Sequence, residues 1–143
     1  MNMKGTQKLK IMICHDGSDR AQAALERTIS LFAQLKPLIL LITVVEEPLD
    51  ATSLDEESFN KWRASREKDL RDAANYVVGH GLDVDAILAV GDPRKMIIEA
   101  AENKNPDILV VARRGAGLLE KMAMGSVSAF LIRHAECPVL VMH

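Results

Sequence analysis

Aromatic residues are scarce in this sequence: Trp62, Tyr76, Phe32, Phe59 and Phe130 are the whole complement, 3% of the chain. Any core must therefore be aliphatic. Charge of one sign is also lacking, since the formal net charge is −2 and the pI about 6.1. That balance leaves no basic footprint for neutralising a run of phosphates, and extended nucleic acid is not an expected partner. Cysteine is limited to Cys14 and Cys137, each inside an apolar run and outside any C-x-x-C pair, which reads as two buried free thiols. Long hydrophobic runs are missing as well. The longest, Leu38 to Val45, has eight residues, against roughly 18 for a membrane span. The lysines near the start lead only into Ile11-Met12-Ile13-Cys14, too short for a secretory core of about 7 to 15 apolar residues. These absences predict a soluble, cytoplasmic chain with no membrane partner.

What is present is the composition of an ordinary globular protein, 48% apolar and 27% charged over 143 residues. A chain of that length buries roughly two-thirds of its unfolded surface and fits one domain, residues 1–143. Five aliphatic segments recur: Leu9 to Cys14, Leu38 to Val45, Val84 to Val90, Ile108 to Ala112 and Val139 to Met142. Continuous apolar runs bounded by turn residues suit strands buried on both faces. Between them lie helical patterns. The first begins behind Ser18 or Asp19 with Ala21, Leu25, Thr28, Ile29 and Phe32 on one stripe. The second runs from about Glu56 to Val78, with Phe59, Trp62, Leu70, Ala73 and Val77 near one face, and its charge-rich remainder reads as a solvated face. Asp92-Pro93 opens a third, with Met96, Ile97, Ala100 and Ala101 as its inner stripe. The fourth runs from Ser126 to about His134 and buries Val127, Phe130 and Leu131. A βαβαβαβαβ order predicts an α/β fold, a doubly wound, mostly parallel sheet with helices on both faces.

In such sheets ligands bind beyond the C-terminal strand ends, where strand order reverses. The candidates are thus His15-Asp16-Gly17-Ser18-Asp19, Val44-Val45-Glu46-Glu47, Gly91-Asp92 and Arg113-Arg114-Gly115-Ala116-Gly117. The most informative stretch is Ala112-Arg113-Arg114-Gly115, nine further residues, then Gly125-Ser126 at a helix start. Glycines admit close approach of amides to a phosphate, and a helix N-terminus presents unpaired amides and a positive dipole end. A glycine-serine pair is equally an ordinary helix cap, so the residues alone leave both readings open. Neither G-x-x-x-x-G-K-[ST] nor G-x-G-x-x-G occurs. His15 and Asp16 are adjacent strand residues pointing to opposite faces and form no dyad. His134 lies eight residues beyond Ser126 on one helix, out of hydrogen-bond reach. His80 and His143 belong to no metal cluster. Met122 and Met124 read as packing.

The chain resembles the universal stress protein family over nearly its whole length. Ile11 to Ser18 is similar to that family's first strand and its Asp-Gly-Ser turn, Gly91-Asp92-Pro93 to its third-strand exit, and Pro106 to Val111 to its fourth strand. Gly125-Ser126-Val127-Ser128 through Arg133-His134-Ala135-Glu136-Cys137-Pro138-Val139-Leu140-Val141 is the most specific part. The resemblance implies strand order 3-2-1-4-5, which periodicity does not supply. ATP-binding members resemble G-x-x-G-(x)9-G-[ST] here, and this chain matches at Gly115, Gly125 and Ser126 but carries Ala112 in place of the first glycine. By the same resemblance Asp16 would accept from ribose hydroxyls, and the Val44 backbone would meet adenine. Gly115, Gly125, Ser126 and Val127 would cradle phosphates. Gly91, Ala112, Arg114 and Ser128 complete the expected nucleotide site. The implied function is a small regulatory module that binds ATP or AMP with Mg²⁺, hydrolyses it slowly or not at all, signals to a protein partner, and dimerises through its last strand, Pro138 to Met142. The alternative is a nucleotide-independent dimeric stress-response interaction protein.

Overall fold

The computed structural model describes residues 8–46, 56–113 and 125–143. Its strands are β1 Lys10–Cys14, β2 Leu38–Val45, β3 Asp83–Val90, β4 Ile108–Ala112 and β5 Val139–Met142. Its helices are α1 Asp19–Phe32, α2 Glu56–Gly79, α3 Pro93–Lys104 and α4 Ser126–His134, with one 3₁₀ turn, Ala33–Leu35, after α1. The sheet runs β3-β2-β1-β4-β5 and every neighbouring pair is parallel. That is the order the resemblance implied, and it puts the reversal between β1 and β4.

Local chemistry explains the element boundaries. The Ser18 hydroxyl accepts from Ala21 N–H at 3.1 Å and starts α1. Asp92 does the same for α3 through Arg94 N–H at 3.1 Å, with Pro93 filling the first helical position, where no N–H is needed. Asn105, in the left-handed region at φ 51°, ends α3.

Alternation along the strands divides the core in two. Ile11, Ile13, Ile39, Leu41 and Val110 face α1 and α2, where they meet Leu25, Ile29, Leu70, Ala73 and Val77. Met12, Leu40, Ile42, Leu109 and Val111 face α3 and α4, where they meet Ile97 and Leu131. Each fully buried aliphatic side chain contributes about 1.5–3 kcal/mol.

Three expectations need correction. α4 buries Leu131 and Ser128, while Val127 and Phe130 are only half-buried because the short helix turns them towards its flanks. Phe59 and Trp62 do not join the core: Trp62 is 37% exposed and packs edge-to-face on Phe59 at 6.3 Å between ring centroids. Length is the reason, because 24 residues of helix span about 36 Å while an eight-residue strand spans about 27 Å, so the first turns of α2 overhang the sheet. The cysteines are free as expected, but both are only partly buried. Among the described residues no helix is long and apolar enough to cross a membrane.

Candidate functional site

The site begins where β1 stops. Cys14 pairs with Ile42, and His15 N–H makes a last rung to Ile42 C=O at 2.8 Å. The chain then turns away. Gly17 sits at φ +85°, a conformation that glycine alone takes without cost. Its N–H donates to His15 Nδ1 at 3.0 Å. An amide can only donate, so Nδ1 is the unprotonated nitrogen and Nε2–H donates to Gln22 Oε1 at 3.0 Å. Buried His15 is thus a structural clamp and makes no dyad with exposed Asp16. The Asp16 carboxylate is aimed by Ser18 N–H, which donates to Oδ1 at 2.9 Å. A carboxylate offers about four acceptor positions, so most of its capacity remains for a ligand.

β2 runs on to Val45, three residues past the Cys14–Ile42 pair. In a parallel ladder alternate residues address opposite neighbours. Val45 C=O accepts from Gly91 N–H on the β3 side, whereas Ile42 C=O serves β1. Val44 therefore addresses the β1 side, beyond the last rung. The carbonyl that a continued ladder would offer it, His15 C=O, is taken by the Thr43 hydroxyl at 2.8 Å. A peptide edge with one donor and one acceptor is left facing the space where β1 is missing.

Across that space stand β4, α4 and α3. Ala112 closes β4 in register with Met142, and among the described non-glycine residues only Lys36 and Asn105 have positive φ. The alanine in place of the family's glycine therefore brings no backbone strain. Gly125 is the N-cap of α4 and supplies no side-chain bond, while Ser126 is the first helical residue. The helix thus starts with amides of Ser126, Val127 and Ser128 that have no intrahelical acceptor. The glycine-serine pair is a helix cap as well, with glycine at the N-cap and the serine side chain not used in capping. Pro93 and Ile97 of α3 and Val111 of β4 supply apolar wall.

These groups enclose a cleft of about 370 Å³. Of the expected site residues, Asp16, Val44, Ala112, Gly125, Ser126, Val127 and Ser128 line it together. Gly91 does not. It sits at φ +148°, with Met96 packed 3.2 Å from where a Cβ would lie. Arg114, Gly115, Met122 and Met124 lie outside the described residues. Residue-type reasoning missed Cys14, Ala21, Ile42, Pro93, Ile97 and Val111 as lining, because each looked like ordinary core or helix-start chemistry. Burial pushes the Cys14 thiol pKa up to about 12, with the Asp16 charge adding to the effect, so this lining thiol is neutral. Among the described residues no cluster of three or more His, Cys, Asp or Glu is arranged for a metal.

Comparison with known proteins agrees with this architecture. The universal stress protein family model matches residues 9–143. A universal stress protein A-like protein of Arabidopsis thaliana is 33% identical over 116 residues, covering 76% of this chain and 66% of the relative, just under two-thirds of its length. A universal stress protein of Thermus aquaticus is 32% identical over 134 residues and covers 92% and 96%. The crystal structure of a universal stress protein family protein from Arabidopsis thaliana with AMP bound superposes with a TM-score of 0.69 at 26% identity, covering 94% of this chain and 90% of that one. With a family match across nearly the full length and a shared fold, this chain belongs to the universal stress protein family.

Proposed function

We propose that the chain is a regulatory module that binds ATP or AMP in the cleft between the ends of β1 and β4 and passes its liganded state to a protein partner. One observation carries the reading: the open edge of Val44, the aimed carboxylate of Asp16 and the uncapped amides of α4 share one cleft of about 370 Å³. Small-molecule sites commonly measure about 300–1,000 Å³. The Val44 C=O suits the adenine amino group and its N–H suits the neighbouring ring nitrogen, whereas guanine presents the reverse pattern on that edge. Asp16 takes the ribose hydroxyls, and the α4 amides and Ser126 hydroxyl take phosphate. The AMP-bound Arabidopsis relative supports the ligand class. Mg²⁺ enters with the phosphates, since it is commonly held by them together with one or two carboxylates.

Turnover is slow or absent in this reading. His15, the described imidazole at the cleft, has its one lone pair committed to Gly17 N–H and cannot serve as a general base. Dimerisation through β5 belongs to the same proposal, because Val139, Leu140, Val141 and Met142 form a partly exposed apolar edge strand.

Isothermal titration with MgATP tests the module. Micromolar binding is expected in the parent, and Ser126→Ala, which deletes one charge-assisted hydrogen bond, should weaken it about tenfold or more. No binding in the parent with recovery in Ala112→Gly would overturn the reading. The Ala112 methyl would then have closed the pocket, leaving a nucleotide-independent interaction protein.

A further inference from the structure

We infer that Arg66, on α2, is a positioning residue for the Asp16 turn and thereby sets how well the site recognises ribose; the ribose part rests on the nucleotide reading above. The Arg66 guanidinium reaches across to the β1–α1 turn, and its Nη1 donates to Asp16 C=O. Its Nη2 stands 2.7 Å from Asp69 Oδ2, one turn further along α2, with both side chains roughly a quarter exposed. The pair is seated directly on the turn: a Cβ added at Gly17 would lie 2.5 Å from Asp69 Oδ2 and 2.6 Å from Arg66 Nη1. The turn is therefore held at three consecutive residues. Arg66 fixes the Asp16 carbonyl, His15 fixes the Gly17 amide, and the Asp16 carboxylate fixes the Ser18 amide. Arg66 holds the Asp16–Gly17 peptide, and with it the course of the chain to the Ser18 amide that aims the carboxylate, so the guanidinium bears on the direction of the acceptor.

A merely structural role for Arg66 fits the surroundings less well. Leu70, Ala73 and Val77 already anchor α2 in the core. The ion pairs Lys61–Glu57, Arg63–Glu67 and Lys68–Asp72 lie within α2 and are 45–82% exposed, whereas Arg66 contacts a site-bearing turn fifty residues away. Arg66 Nε is buried without a hydrogen-bond partner, while Nη1 and Nη2 are engaged by the turn carbonyl and Asp69. Arginine suits the task because its planar fork bonds the carbonyl and the carboxylate at once.

The test uses the full chain and the double variant Arg66→Gln/Asp69→Asn, which leaves neither charge stranded. Two quantities are read: amide hydrogen exchange at Gly17 and Ser18 without ligand, and the ratio of affinities for ATP and 2′,3′-dideoxy-ATP. The inference expects exchange at the turn to accelerate about tenfold while Leu70 and Val77 are unchanged. It expects the affinity ratio to fall about tenfold towards one, the scale of one charge-assisted hydrogen bond. Arg66→Lys, which keeps one donor, should restore part of both. Arg66→Gln alone stands in if the double variant fails to fold. Unchanged exchange at the turn, or faster exchange with an unchanged ratio, would overturn the inference. A parent that binds neither nucleotide refutes the nucleotide reading instead, and the exchange rates then decide whether Arg66 positions the turn.

Discussion

Replacing Thr43 by valine should close the open Val44 edge and, on the proposed reading, weaken nucleotide binding without altering a residue proposed to contact the base. Valine keeps the shape and β-branching of threonine, so the strand itself is undisturbed. What goes is the hydroxyl that donates to His15 C=O at 2.8 Å in a region where His15 is 5% exposed and Thr43 1%. A buried acceptor left unpaired costs about 1–3 kcal/mol. At about 2–4 °C per kcal/mol for a chain of this size, Tm should fall by roughly 2–12 °C. The protein has one way to recover that loss. Val44 N–H can close the next rung onto the freed carbonyl, as a continuing parallel ladder would. Stability then returns at the expense of the donor offered to adenine, and affinity for MgATP should fall roughly 2- to 13-fold, the worth of one neutral hydrogen bond. Thermal unfolding and titration of the parent, Thr43→Val and Thr43→Ser separate these outcomes, with serine expected to match the parent closely. A valine variant that retains both the parent Tm and the parent affinity would refute the account of why Val44 faces the cleft.

Two further outcomes follow from the ionisable groups at the strand ends. With its thiol pushed up from 9.0 to about 12 by burial and by Asp16, Cys14 holds about 10³-fold less thiolate at pH 8 than an unperturbed thiol. Iodoacetamide should therefore label Cys137, raised chiefly by burial but less far, well before Cys14; equal rates by peptide mass spectrometry would contradict the packing around Cys14. The same shift is a stability contribution fully present below pH 9.0 and lost as pH rises towards about 12, so alkaline unfolding should begin earlier than in Cys14→Ala. Asp92 moves the other way: burial opposes its ionisation, but hydrogen bonds from the Arg94 side chain and backbone outweigh that and lower its pKa. Its contribution is present above the unfolded carboxylate value of 3.8 and is lost as pH falls through the lower folded value. Asp92→Asn keeps the capping oxygen but cannot titrate, so its Tm should fall less steeply below about pH 4; an identical acid slope would show that the α3 cap is not part of acid unfolding.

Much of the fold was legible because its signals are local. Ser18 and Asp92-Pro93 mark helix starts through bonds made within three residues, and the five aliphatic runs match the five strands to within a residue. Strand order was not legible from pattern, since a run such as Ile108 to Ala112 carries no record of its neighbour; the family resemblance supplied it. The overhang of α2 escaped the periodicity argument for a similar reason. Phe59 and Trp62 keep the helical spacing of Leu70, Ala73 and Val77, but whether a stripe is buried depends on how far the sheet beneath it extends.

The site divides along the same line. Asp16, Gly125 and Ser126 stand out by residue type, because a carboxylate in a turn and a glycine at a helix start have recognisable chemistry. Val44 has none: its importance comes from the difference in length between a five-residue β1 and an eight-residue β2, and from Thr43 taking the carbonyl that would otherwise have closed the ladder. Gly91 shows the converse, a residue that looks like site chemistry yet does not line the cleft, and whose missing Cβ makes room for Met96. Arg66 is harder still to foresee, lying in a helix of alternating charges and distinguished only by the carbonyl it reaches fifty residues away. The candidate site is therefore written partly in residues with recognisable chemistry and partly in where strands stop.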